Sequence, residues 1–152
     1  GCELVRRLAE THGREVTGVD VRDGGFPVGR RTPDGRRFHC RKRDAAHMPF
    51  APNASVDAVI SMWALHEMAD PRASLREACR VLRPGGEVFV VDFPRDSLAQ
   101  RLWNEDYYRP EQVKALLQEA GLEKVQVRRI EGGQVMWARG YRPAPAAGGA
   151  SA

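Results

Sequence analysis

Three aspartates, one histidine and a set of aromatic residues carry the chemistry this sequence can do. Asp20 closes the short run Glu15–Asp20 (EVTGVD). It completes an order of glycine (Gly1), helical stretch, strand and acid. A glycine in that order lets backbone approach a ligand, and the acid can accept hydrogen bonds from ribose hydroxyls. Taken alone, Asp20 reads better as a strand-end acid near solvent. Asp44 directly follows the alternating run Arg37–Arg43. A carboxylate there can accept from an exocyclic amine such as adenine N6, and the next backbone N–H can serve a ring nitrogen. It can also simply open a turn. His66 lies just past the apolar run Val56–Trp63. It is the imidazole best placed to take a proton from a reacting group, or else it orients a loop. Trp63, Trp103, Tyr107 and Tyr108 could wall a pocket or could pack. Asp92 ends a further strand as a site neighbour or as a cap. His12, His39 and His47 receive no role.

The elements that must position these residues centre on Val56–Asp92. Val56–Trp63 is near-continuously apolar and β-branched, as in a strand buried on both faces. Asp70-Pro71 opens a helix, with the carboxylate as cap and proline at the first position. Leu75, Ala78, Cys79 and Leu82 recur at helical spacing. Pro84-Gly85-Gly86 should stop that helix and turn the chain into a strand Glu87–Asp92. Two buried strands joined by a helical crossover form a parallel βαβ unit, with ligands expected at the carboxyl ends of the strands. Those ends are Ser61–His66 and Asp92–Arg95.

The flanks read more simply. Glu3–His12 is a helix stopped by Gly13. Arg22–Arg37 has no helical period and suggests a loop or hairpin around Pro33-Asp34-Gly35. Arg37–Arg43 alternates like a strand at or near a sheet edge. Pro110–Ala120 is a helix, and Glu123–Ile130 and Gln134–Tyr141 are strands joined at Glu131-Gly132-Gly133.

Composition bounds the class. The chain has 152 residues, 42% hydrophobic and 29% charged, which suits one soluble globular domain. No apolar run approaches bilayer length. Three scattered cysteines, Cys2, Cys40 and Cys79, show no zinc-ligand spacing and argue against a disulfide framework, so no metal is expected and a reducing cytoplasmic setting is. The net charge of +4 fits an anionic partner without demanding one. The tail Pro143–Ala152 should be disordered. The opening Gly1-Cys2-Glu3 runs straight into a helix, which suggests upstream sequence.

These motifs in this order resemble the class I S-adenosylmethionine-dependent methyltransferases, especially the small-molecule kind called methyltransferase type 11. The matching stretches are GVD (Gly18–Asp20), RDAAHMPF (Arg43–Phe50), VDAVISMWALHEMADP (Val56–Pro71) and LREACRVLRPGGEVFVVD (Leu75–Asp92). The resemblance implies an α/β fold: a Rossmann-like, doubly wound, mostly parallel sheet with an antiparallel C-terminal strand pair, over residues 1–142. The family's first strand is missing here, and should lie between the strands ending at Asp20 and Trp63. The resemblance assigns ribose to Asp20, adenine packing to Val21, the adenine amine to Asp44 and a backbone N–H to Ala45. Ser61 and Met62 would line the methionine moiety, with Gly1 as the remnant of the glycine-rich loop. It implies S-adenosylmethionine as cofactor and a small-molecule methyl acceptor, with His66 as candidate base.

Two rivals stand beside it. A nicotinamide-dependent dehydrogenase would suit Gly1 and Asp20, but nothing resembles its Tyr/Lys pair. A non-catalytic module of this fold could bind RNA or an acidic partner through Arg22, Arg30, Arg31, Arg36, Arg37, Arg41, Lys42 and Arg43. Those cations read better as a solvated basic loop, since only Phe26 is available to stack.

Overall fold

The structure is a computed structural model that describes residues 2–22 and 30–145. The candidate Gly1, the residue Phe26 and most of the tail lie outside the described residues. The chain divides into two compact units, Gly1–Met48 and Pro49–Ala152.

In the first unit, helix α1 (Cys2–His12) is followed by strands β1 (Val16–Asp20), β2 (Arg30–Arg31) and β3 (Arg37–Lys42). The sheet order is β1-β3-β2, with β1 and β3 parallel and β2 antiparallel to β3. Pro33-Asp34-Gly35 turns the β2–β3 hairpin, closed by Thr32 N–H to Arg36 O at 2.9 Å. β3 therefore lies one strand in from the edge. Val5 and Ala9 of α1 pack on Phe38 and Cys40, which share one face of β3. Gly18 is needed there, because a Cβ would come within 2.6 Å of Val5 Cγ2 and 2.7 Å of Cys40 Sγ. Cys40 is disulfide-bonded and Cys79 is free, so the expectation of reduced thiols throughout is corrected.

In the second unit, β4 (Val56–Met62), α2 (Pro71–Val81) and β5 (Leu82–Asp92) form the expected parallel strand–helix–strand unit. Asp70 caps α2 by accepting from Ala73 N–H at 2.8 Å, with Pro71 at the first turn. Then come α3 (Leu98–Trp103), α4 (Pro110–Glu119), β6 (Glu123–Ile130) and β7 (Val135–Tyr141). The sheet order is β4-β5-β7-β6, so the last strand inserts antiparallel between its hairpin partner and β5. Leu75, Ala78, Val113, Leu116 and Leu117 of the two long helices bury against Val88, Val90, Met136 and Ala138. Among the described residues, β1 pairs only with β3, and β4 only with β5.

Pro84-Gly85-Gly86 does not separate helix from strand. The chain enters β5 directly at Leu82, and the three residues sit in a bulge: Val56 pairs with Leu82, then Ala58 with Glu87. Gly85 has φ +79° and donates to Arg142 O, while Arg142 N–H donates to Gly86 O, each at 2.9 Å. A Cβ on Gly86 would lie 2.8 Å from Arg83 O and 2.9 Å from Asp57 O, both backbone. Gly86→Ala should therefore cost about 1–3 kcal/mol, read as a lower urea midpoint at unchanged slope.

Candidate functional site

The carboxyl ends of β4 and β5 gather the proton-handling groups of the second unit. β4 runs out at Met62, and Trp63 takes φ +57°, a left-handed conformation that costs a bulky residue energy. Its N–H still bonds Val91 O at 2.8 Å. A short 3₁₀ turn, Leu65–Glu67, follows, pinned by the fully buried Leu65. That turn presents His66 to Asp92, the last residue of β5. Asp92 accepts from the His66 backbone N–H at 3.1 Å and meets its ring Nδ1 at 2.8 and 3.0 Å. It also accepts from Phe93 N–H at 2.8 Å. Burial pushes the Asp92 carboxyl above its ordinary range, and the contact with His66 and the two N–H bonds pull it back.

The other ring nitrogen of His66, Nε2, lies 2.9 Å from Glu105 Oε2. Each ring nitrogen of His66 therefore faces a carboxyl group. Glu105 also takes a hydrogen bond from the Tyr107 hydroxyl. Burial, then the charges of Glu105, Asp92 and Glu67, push the Tyr107 phenol up, so it stays a donor. The His66 side chain is 7% exposed and Glu105 46% exposed, so the pair opens to solvent on the glutamate side. A nitrogen or oxygen from each of His66, Glu67 and Glu105 lies within 4.8 Å of the others. Aromatic rings continue the rim: Trp63 stacks on Phe93 at 4.5 Å, and Trp103 and Tyr107 approach Phe93 at 5.3 and 5.7 Å.

The raised Asp92 carboxyl fixes a pH sign. In the folded chain it keeps its proton to higher pH than in the unfolded one. Its contribution to stability is complete below the ordinary carboxylate value of about 4 and is lost as pH rises through the raised value. Asp92→Asn should flatten that part of the stability–pH curve, measured by thermal melts from pH about 3 to 7.

The remaining sequence candidates are placed as follows. In the first unit, Arg43 N–H bonds Asp20 O at 2.9 Å, which sets the ends of β1 and β3 side by side and brings Asp44 to the same rim. Each aspartate uses Oδ1 locally: Asp20 accepts from Arg22 N–H at 2.9 Å, and Asp44 from Ala46 N–H at 2.8 Å. These are aspartate turns. Val21 follows Asp20 and is 61% exposed, and Ala45 is half-buried. In the second unit, Ser61 and Met62 sit on opposite faces of β4. Met62 is 37% exposed, and Ser61 Oγ is buried without a protein partner. Glu105 and Glu67 are functional candidates that the sequence reading missed. The only signal was an acid among aromatics in Trp103–Tyr108, and it carries no period.

The family model described as a methyltransferase domain matches residues 1–90, more than half of the chain. The chain belongs to that family. As a methyltransferase domain it is 30% identical over 151 residues to an O-methyltransferase of Pyrenophora dematioidea, covering 85% of this chain and 55% of the relative. It is 27% identical over 162 residues to the ubiquinone/menaquinone biosynthesis C-methyltransferase UbiE of Idiomarina loihiensis, covering 84% and 64%. The chain thus spans between half and two thirds of these relatives. Among solved structures, the complex of the Haloferax volcanii Trm112 methyltransferase activator with a methyltransferase superposes with TM-score 0.75 at 19% identity, covering 93% of this chain and 78% of that one. The [4+2]-cyclase SpnF superposes with TM-score 0.72 at 18% identity, covering 93% and 69%. These likenesses establish the Rossmann-like α/β fold of class I methyltransferase domains.

The residues of the first unit suit the adenosine part of S-adenosylmethionine. Two carboxylates at one rim suit ribose hydroxyls and an adenine amine, and an exposed Val21 suits an adenine face. Among the described residues no helix is long and apolar enough to cross a membrane.

Proposed function

We propose that this chain transfers a methyl group from S-adenosylmethionine to a small-molecule acceptor whose proton is taken by His66. In the first unit, Asp20 takes the ribose hydroxyls, Val21 packs on adenine, and Asp44 with the Ala45 N–H reads the adenine edge. In the second, Ser61 and Met62 line the methionine moiety. The sulfonium supplies an electrophilic methyl carbon, so the protein's task is to hold a nucleophile in line and exclude water. Asp92 fixes the His66 ring and keeps the proton on Nδ1, so that Nε2 is the atom that exchanges protons. Glu105 faces solvent and passes the proton on.

The observation that supports this most is the His66–Asp92 pair, at 2.8 Å, at the carboxyl end of two parallel strands. The test is release of S-adenosylhomocysteine from labelled cofactor in the presence of pooled alcohols, phenols, thiols and amines. Acceptor-dependent release by the wild type, lost in His66→Gln, supports the reading, and no release from any pool contradicts it. A second reading has one observation in its favour: Arg30, Arg31, Arg36, Arg37 and Arg43 are all exposed on and beside the β2–β3 hairpin. If the chain is instead a binding module, RNA affinity will fall steeply with salt and cofactor affinity will be absent.

A further inference from the structure

We propose that the outer face of the β1-β3-β2 sheet binds single-stranded RNA along β3; its cations belong to the hairpin of the second reading above, but the surface serves whether or not the chain transfers methyl groups. Phe38 and Cys40 turn to α1, so alternation turns Arg37, His39 and Arg41 to the opposite face. Strand pairing adds Arg31 of β2 beside Arg37, and Thr17 and Val19 of β1 beside His39 and Arg41. Arg31, Arg37 and Arg41 are exposed, and none of these six residues is an acid. Arg31 donates to Gly35 O at 2.8 Å, and Arg41 Nε donates to His39 Nε2 at 3.2 Å. The hairpin's one carboxylate, Asp34, is taken by Thr32 and, at 3.9 Å, by Arg36. Among the described residues no carboxylate pairs with Arg31 or Arg37.

Two features of this face point to a polyanion. Arg31 and Arg37 stand directly opposite each other across β2 and β3, a like-charge pair that destabilises a sheet without an anion to share. Burial, and then the charges of Arg41 and Arg37, push the His39 imidazole below its ordinary range. At neutral pH an uncharged ring is therefore flanked by two guanidinium groups. A negative chain lying along β3 answers both features. Alternate strand residues repeat at about 6.6 Å, so Arg37 and Arg41 stand about 13 Å apart with His39 midway. A flexible single strand can bring successive phosphates to Arg31, Arg37 and Arg41 while its bases lie on the His39 ring and the guanidinium planes. A duplex keeps its bases stacked inside and offers a flat face its phosphates alone. An acidic peptide offers charge without the row of bases.

The test is fluorescence polarisation of a short labelled single-stranded RNA of mixed sequence, titrated with the whole chain. With three phosphate contacts, affinity should fall roughly 20-fold between about 50 and about 200 mM salt, a logarithmic slope near about −2. Arg31→Gln and Arg37→Gln should each weaken binding about fivefold and reduce that slope by about 0.7. Both positions are exposed, and each substitution removes the like-charge pair, so the thermal midpoint should hold or rise. His39→Ala should weaken RNA binding and leave binding of inorganic triphosphate unchanged. Arg7→Gln, on α1 and paired with Glu3 at 3.1 Å, should change neither affinity nor slope. No binding at about 50 mM salt, equal affinity for duplex RNA or for poly-glutamate, or affinity untouched by both Arg31→Gln and Arg37→Gln would overturn the proposal. No cofactor is present in this titration, so its failure leaves the methyl-transfer reading standing, and absent cofactor affinity leaves this surface standing.

Discussion

Replacing His66 with glutamine lowers kcat about 100- to 10,000-fold, while the affinity for S-adenosylmethionine stays within a factor of two or so. The size follows from the role. A positioned base removes the acceptor's proton as the nucleophile forms, and without it only the small unprotonated fraction reacts. Affinity should be spared because the proposal gives His66, in the turn Leu65–Glu67, the acceptor's proton and leaves the adenosine to Asp20 and Asp44. Glutamine keeps the backbone N–H that Asp92 accepts at 3.1 Å, so the turn should survive. A buried carboxylate orients the ring through a 2.8 Å contact, so Asp92→Asn should share most of the kcat loss. The measurement is steady-state release of S-adenosylhomocysteine beside equilibrium cofactor binding on the same preparations. Unchanged kcat in His66→Gln would reduce His66 to a loop anchor.

Leu65→Ala destabilises the chain by about 2–5 kcal/mol, the usual cost of deleting a fully buried leucine. Leu65 is 0% exposed and belongs to the cluster that also holds Leu75, Leu82 and Leu117. Domain stabilities run to about 5–15 kcal/mol, so the loss is a large share of the total. It matters for chemistry as well. The 3₁₀ turn has three residues, no side-chain cap bond and one buried side chain, so Leu65 holds His66 in place. Urea melts should show the lower midpoint, and the folded variant should turn over more slowly at unchanged cofactor affinity. A loss below about 1 kcal/mol would mean that the cluster closes over the gap.

Much of the scaffold was legible because local chemistry dictates it. Asp70-Pro71 named the start of α2 to the residue, and the two glycines after Glu131 named the β6–β7 hairpin. The amphipathic spacing of Leu75 and Ala78, and of Val113, Leu116 and Leu117, marked the faces that bury. Asp20 and Asp44 were singled out as acids at strand ends; Asp20 ends β1, and Asp44 lies two residues past the end of its parallel neighbour β3. What local pattern could not reveal is through-space pairing. Nothing in periodicity says that β7 slides between β5 and β6, because alternation marks a strand and not its neighbours. Pro84-Gly85-Gly86 has turn chemistry, and it makes a bulge here because β4 and Arg142 hold both of its sides. His66 and Asp92 are 26 residues apart, and Glu105 reaches His66 from beyond α3. Such a constellation exists only once the sheet has formed. The left-handed backbone of Trp63 was equally hidden, since tryptophan is not a residue that advertises it.

The central claim is that the carboxylates of Asp20 and Asp44 read one adenosine, and equilibrium titration of the chain with S-adenosylmethionine tests it most directly. The account predicts micromolar affinity in the wild type, weakened about tenfold or more by Asp20→Ala and by Asp44→Ala. Asp20→Asn keeps an oxygen for the Arg22 N–H at 2.9 Å, and so separates loss of the carboxylate from loss of the turn. Absent binding in the wild type, or binding untouched by all three substitutions, would contradict the claim.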